Sequence, residues 1–263
     1  MNWIEVNGVG LRYDLSGSGP TTLVLVHEMG GTLDSWDQGL NGLNNGRRVL
    51  RYDTRGAGLS ENIDGAVTWD DMAGDLKGLL DALNIAGKVG LAGIAVGGAI
   101  AMHFAVRYPD RAGALVLHGP ATGATPDRRQ ASLDRAAAVE AGGMRGVVEA
   151  SLAASYPPVV RHNQAVFEAF RARWLGNDPQ SFAAINRMLA NNDISHELSK
   201  VGCPALLTAG RHDSLRPPSA IEPMARQIPG AAFLELNTGH FASVQTPGTM
   251  SQAIHYFMHG LGF

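Results

Sequence analysis

Short apolar runs recur along this chain with helical patterns between them, and that alternation restricts the fold more than any other feature. The runs at 22–26, 48–52, 89–92, 114–117, 205–208 and 232–236 read as strands. Several are apolar throughout instead of at every second position, the pattern expected where both faces of a parallel sheet are covered. Between them lie segments of helical composition. One spans 69–83, with Thr68 and Asp71 at capping-box spacing; another spans 96–108 and stops before Pro109. Two earlier strands, 3–6 and 10–15, flank Asn7-Gly8, a dipeptide suited to a tight hairpin. The expectation is a doubly wound α/β fold: a mostly parallel, eight-stranded sheet with helices on both faces.

One stretch breaks the alternation. Residues 127–141, 144–155, 160–174 and 179–189 all have helical composition, and no strand pattern separates them. A chain of 263 residues is long for one domain and short for two. The pattern therefore predicts a core formed by 1–121 and 201–263, with 122–200 inserted as a packed helical cap. Such a cap would lie across the carboxyl edge of the sheet, where open α/β folds bind ligands.

Composition narrows the function classes. The net charge is −3, and no run of Lys or Arg offers a surface to nucleic acid or anionic lipid, so neither is an expected partner. No apolar stretch approaches the ~18 residues of a membrane span, and the first residues lack a basic-then-apolar leader. Cys203 is the single cysteine, so no intrachain disulfide is possible and a cytoplasmic location is expected. No Cys/His cluster suggests a metal, and no Gly-x-Gly-x-x-Gly follows the first strand for a dinucleotide, so the expected chemistry uses no cofactor. The partner would be a small molecule, met by a monomer or a homo-oligomer.

Chemistry concentrates after the strands. Gly93-Ile94-Ala95-Val96-Gly97 has the spacing of a nucleophile elbow, a sharp strand-to-helix turn whose glycines make room for neighbouring backbone, yet its central residue is Ala95. Asp213 follows the run at 205–208, and His240 follows the last strand. Each alone reads as an ordinary loop residue, Asp213 as a cap for a helix near Pro218. Elbow, acid and histidine in this order, each directly after a strand, give the chain order of a Ser-Asp-His triad. His27-Glu28-Met29-Gly30-Gly31 follows the early strand. There the backbone N–H of Met29, with that of Val96, would face a developing negative oxygen.

On these motifs, and on Tyr52-Asp53-Thr54-Arg55-Gly56-Ala57-Gly58-Leu59-Ser60, the chain resembles the α/β-hydrolase fold family over nearly its whole length. Within it the resemblance is greatest to 3-oxoadipate enol-lactonases, through Leu33-Asp34-Ser35-Trp36, the Tyr-Asp-Thr-Arg-Gly turn and the short cap. The resemblance implies hydrolysis of a small lactone, ester or amide through an acyl-enzyme, with Asp213 and His240 serving a nucleophile at 95. Relatives that cleave carbon–carbon or N-acyl bonds, and binding proteins on the same scaffold, are the alternatives. The Asp-x-Arg-Gly turn is a structural one in this family, so Asp53 and Arg55 are assigned no chemistry.

Ala95 is the departure, since a methyl group has no lone pair with which to attack. Removal of one hydroxyl from an otherwise intact set favours an engineered Ser→Ala change. A natural alanine would imply a binder or a reaction without a covalent intermediate. His27, Glu28, Trp36, His118, Trp174 and Phe241 are candidate pocket residues. Glu28 departs from the family's usual glycine, and a paired or solvated side chain is expected for it ahead of a contact with a polar substrate group. Arg128, Arg129, Arg161, Arg173, Arg187 and Arg216 are available to an acidic substrate, with solvated cap arginines the ordinary expectation.

Overall fold

The computed structural model describes residues 2–263. One sheet of eight strands runs in the order β1-β2-β4-β3-β5-β6-β7-β8. The strands are β1 (Asn2–Val6), β2 (Val9–Gly17), β3 (Thr22–Val26), β4 (Arg48–Tyr52), β5 (Val89–Ile94), β6 (Ala112–His118), β7 (Ala205–Gly210) and β8 (Ala232–Leu236). Only β2 runs against its neighbours; every other pair is parallel. The hairpin between β1 and β2 turns through Asn7 and Gly8 at φ 52° and 73°, the double positive φ of a type I′ turn. Every residue of β3, β5 and β7 is buried, which is why their sequences show no alternation.

The flanking helices begin where the sequence supplies caps. In α1 (Trp69–Ala82) the Thr68 hydroxyl accepts from the Asp71 N–H at 3.1 Å, and the Asp71 carboxylate accepts from the Thr68 N–H at 2.8 Å. Helix α2 (Val96–Arg107) leaves the sheet directly after β5 and is buried over ten of its twelve residues. Several elements lie outside the pattern read above, two of them long. A 3-10 segment, Leu33–Gly42, is opened by a Thr32 capping box, and a C-terminal helix, Pro247–His259, buries Met250, Ile254 and Met258 at i, i+4 spacing.

Between β6 and β7 the described residues form helices and no strand: α3 (Pro126–Gly142), α4 (Val148–Ser155), α5 (Gln164–Leu175) and α6 (Pro179–Asn191). Two of these begin later than composition suggested. Gly143, at φ 69°, ends α3, and a 3-10 turn, Met144–Gly146, precedes α4. Pro157 and Pro158 hold another such turn, so α5 waits for Asn163, whose side chain accepts from the Ala165 and Val166 N–H groups. This helical segment has an apolar cluster of its own, built from Val139, Leu152, Tyr156, Phe170, Trp174 and Phe182, among others. Phe241 belongs to that cluster although it follows β8: its ring lies 4.8 Å from Phe170 and 6.2 Å from Trp174, centre to centre. Aromatic packing thus joins the helices to the loop that carries His240.

Candidate active site

Three strands deliver the site. Ala95 caps the N-terminus of α2 straight after β5, with φ 51° and ψ −112°. An L-residue in this region costs on the order of 1–3 kcal/mol and persists only where its surroundings dictate it. They do so here. The Ala95 N–H donates to the His118 carbonyl at 2.9 Å, and its carbonyl accepts from the Ala121 N–H at 2.9 Å and from Ala99 at 3.1 Å. Gly97 lies so close that a Cβ there would strike the Val26 and His27 carbonyls. Backbone strain at an alanine brings no side-chain benefit, so Ala95→Gly is expected to raise stability by about 1 kcal/mol, relieved strain exceeding glycine's entropy cost. Urea midpoints with an unchanged m-value check this.

His240 Nδ1 lies 2.6 Å from Asp213 Oδ2, with both residues buried. A carboxylate can only accept, so Nδ1 carries the hydrogen and the neutral ring keeps its lone pair on Nε2. Asp213 is held in turn: its Oδ1 accepts the N–H groups of Leu215 at 2.8 Å and Arg216 at 3.0 Å. Burial works to raise the Asp213 pKa. The His240 charge and hydrogen bond, aided by the Arg216 amide and His118, outweigh burial and bring the carboxyl down to about 2. Asp213 therefore stays ionised across the whole range in which an imidazole titrates.

Ala95, His240, Met29 and Val96 line one cavity of about 410 Å3, a volume suited to a small ligand. Val96 is the first residue of α2, so its N–H has no intrahelical partner. The loop bearing Met29 is tied to the helical segment. Asn177 Nδ2 donates to the Gly30 carbonyl at 3.1 Å, and Gly30, at φ 81°, lies so close to the Trp174 ring that a Cβ would collide with it. Asn186 Nδ2 rests 3.8 Å from the Met29 sulfur. Further walls come from Trp174, Phe241, Leu189 and Leu215.

Four expected pocket residues are placed elsewhere. His27 sits behind the loop: Nδ1–H donates to the Glu28 carbonyl at 2.7 Å, and Nε2 accepts the Thr54 N–H at 3.0 Å, so both ring nitrogens are occupied. Glu28 is fully buried and accepts from the Ser35 hydroxyl at 2.8 Å, which turns the carboxylate away from the cavity. Trp36 fills the main core. His118 is also fully buried, between the Thr208 hydroxyl at 2.9 Å and the Gly239 carbonyl at 3.1 Å. Since a carbonyl only accepts, Nε2–H donates to Gly239 and Nδ1 accepts from Thr208. Arg135, Ser132, Ser151, Ser155 and Asn186, none of them marked by a sequence motif, also line the cavity. Arg128, Ala131, Ser132 and Arg135 fall on one face of α3 at i, i+3, i+4, i+7, a periodicity that was available in the sequence.

Burial pushes the His118 imidazole down to about 4, with Asp213 and the Gly239 hydrogen bond opposing and His240 assisting. The folded pKa lies below the unfolded value of 6.5, so the unfolded chain binds the extra proton first. Stability from this residue is complete above about pH 6.5 and falls by roughly 3 kcal/mol as pH drops to 4. Urea unfolding across that window checks it, with His118→Gln expected to flatten the slope. Asp213 works in a lower window, losing its contribution only as pH falls from 3.8 toward about 2.

Residues 20–236 match the hydrolase family described as serine aminopeptidase, S33. A candidate carbamate hydrolase, RutD, of Caulobacter segnis is 28% identical, the alignment covering 95% of this chain and 97% of that protein. Among solved structures, a thermophilic esterase from Thermogutta terrifontis, with malate bound, superposes at a TM-score of 0.93 with 28% identity, over 99% of both chains. The enol-lactonase of Burkholderia xenovorans LB400 superposes at 0.92 with 27% identity, over 98% of this chain and all of that one.

Proposed function

The chain belongs to the hydrolase family described as serine aminopeptidase, S33, and on that premise we propose that its cavity is an acyl-hydrolysis site in which Ala95 stands in place of a serine. The substrate would be a small ester, lactone or amide, and the helical segment 122–200 would act as the cap over it. The observation that carries the reading is the Asp213–His240 hydrogen bond of 2.6 Å, at a cavity shared with the strained residue 95.

In the serine form, the hydroxyl oxygen attacks the carbonyl carbon while His240 Nε2 takes its proton. The N–H groups of Met29 and Val96 receive the charge that develops on the carbonyl oxygen. Collapse of the tetrahedral adduct expels the alcohol or amine, which takes the proton from His240. Water, deprotonated by the same imidazole, then releases the acid and restores the serine. Asp213 holds the ring in the tautomer that leaves Nε2 free, and its charge stabilises the imidazolium at each step. With alanine at 95 the covalent route is closed, while the means of binding the acyl group remain.

Relatives named for carbamate, ester and enol-lactone substrates support an acyl carbonyl as the reacting group. A panel of short esters, lactones, carbamates and N-acyl compounds, offered to Ala95→Ser with product identification, tests the reading and assigns the bond. Failure of that variant to exceed the unaltered chain on every class removes it. Ala95 itself favours a second reading, a ligand-binding protein on a hydrolase scaffold. That reading requires tight binding by the unaltered chain and no turnover gained from Ala95→Ser. The codon at position 95 in the source gene decides whether the alanine is engineered.

A further inference from the structure

The cavity that holds Ala95 and His240 is lined by Arg128, Arg135 and Arg216 and by no Asp or Glu among the described residues. Neither Arg135 nor Arg216 forms an ion pair among the described residues. Arg135 donates to the Ser151 hydroxyl at 2.9 Å. Arg216 donates to the carbonyls of Gly123 at 3.3 Å and Leu215 at 3.5 Å, and Arg128, at the exposed rim, donates to the Leu215 carbonyl at 3.2 Å. The anion nearest in chemistry, Asp213, is already committed: His240 holds one oxygen and two backbone N–H groups hold the other.

Several guanidiniums in this molecule that lose water gain a carboxylate, although Arg47, buried with only His255 beside it at 3.5 Å, does not. Arg12 reaches Asp34 and Asp53, Arg51 reaches Asp14 and Asp37, and Arg55 grips Asp75 with two bonds of 2.6 Å. The cavity arginines lose water without that return. Burial lowers the pKa of Arg135; burial, then the charge of Arg128, lowers that of Arg216 against the pull of Asp213. A cation held in a partly dry site without a counter-charge is unfavourable, and a ligand that brings the charge relieves it.

We propose that Arg135 and Arg216 form an anion subsite in this cavity, so that the substrate is an acyl compound carrying a carboxylate of its own. This rests on the acyl-hydrolysis reading and adds the substrate class. A carboxylate fits the planar fork of a guanidinium through paired N–H···O bonds. The apolar walls of Trp174, Phe241, Leu189 and Leu215 suit the carbon chain between that carboxylate and the reacting carbonyl. Distance between the two groups in the substrate would then set which acid is accepted, because one end is fixed by the arginines and the other by the Met29 and Val96 amides.

Isothermal titration of the unaltered chain tests this directly, since alanine at 95 allows binding to be measured without turnover. The ligands are monomethyl esters of three- to six-carbon dicarboxylic acids, their neutral dimethyl esters, and methyl phosphate. At least one monoester is expected to bind about tenfold or more tighter than its diester. That ratio should fall toward one in Arg135→Met and Arg216→Met, with Arg135→Lys in between. Should the methionine variants unfold, the paired lysine variant is used in their place, because losing the fork must still reduce the ratio. The proposal is overturned by equal binding of monoesters and diesters, by binding of neither, by a ratio unchanged in the folded double variant, or by tighter binding of methyl phosphate. Absence of this preference would leave turnover by Ala95→Ser untouched, and absence of that turnover would leave the preference untouched, so the two failures are distinguishable.

Discussion

Ala95→Ser is expected to raise hydrolysis of a small acyl substrate by a factor on the order of 10³ to 10⁶ over the chain as it stands. The upper figure corresponds to about 8 kcal/mol of barrier, the scale set by removing the nucleophile from a serine protease. The other groups that the proposed pathway uses are present at or beside the cavity. The backbone at 95 holds its strained φ of 51° with alanine, so serine meets no new backbone cost. Asp213 has fixed the tautomer of His240, and Met29 and Val96 line the same cavity. The lower figure applies if the serine rotamer that reaches His240 is thinly populated. Matched kcat/KM values for both proteins on one ester, with Ala95→Ser/His240→Ala prepared in parallel to exclude a contaminating esterase, provide the check.

The second large effect comes from the acid. In the Ala95→Ser protein, Asp213→Asn is expected to lower kcat by about 10⁴. Asparagine keeps the size but changes the hydrogen-bond logic. Its amide can donate to Nδ1, which moves the ring hydrogen to Nε2 and leaves no lone pair facing the serine. The charge that stabilises the imidazolium disappears as well. KM should change little, because Asp213 does not line the cavity, and that split separates loss of chemistry from loss of binding. A parallel fall in unfolding stability at neutral pH would accompany it, since the carboxyl at about 2 stabilises the fold wherever it is ionised. A variant that keeps within tenfold of the serine protein would show that His240 is oriented by other contacts.

Much of this arrangement was legible because each loop of the candidate site follows a strand, and these strands announce themselves. The runs at 89–92, 205–208 and 232–236 lie in β5, β7 and β8, and residues 95, 213 and 240 follow directly from them. Order along the chain thus became proximity in space through parallel pairing alone. The helical segment was legible in type but not in its breaks, because Gly143 and the Pro157-Pro158 pair act locally on runs whose composition stays helical throughout. Side-chain direction was not legible. His27 and Glu28 precede Met29 by one or two residues, yet local hydrogen bonds to Thr54 and Ser35 turn both away from the cavity. The place of Arg135 was not legible for a different reason. Helix α3 mixes polar residues and alanines around its circumference, so the one-face spacing of Arg128 and Arg135 does not by itself distinguish a face turned to a cavity from one turned to water.

The central claim is that position 95 is a nucleophile's place, activated by His240. Reaction with a fluorophosphonate, read as added mass on the intact protein, tests it without knowledge of the natural substrate. The account predicts one adduct on Ala95→Ser, mapped to residue 95, and none on the unaltered chain or on Ala95→Ser/His240→Ala. A folded Ala95→Ser protein that stays unlabelled, or that labels equally well without His240, would contradict it.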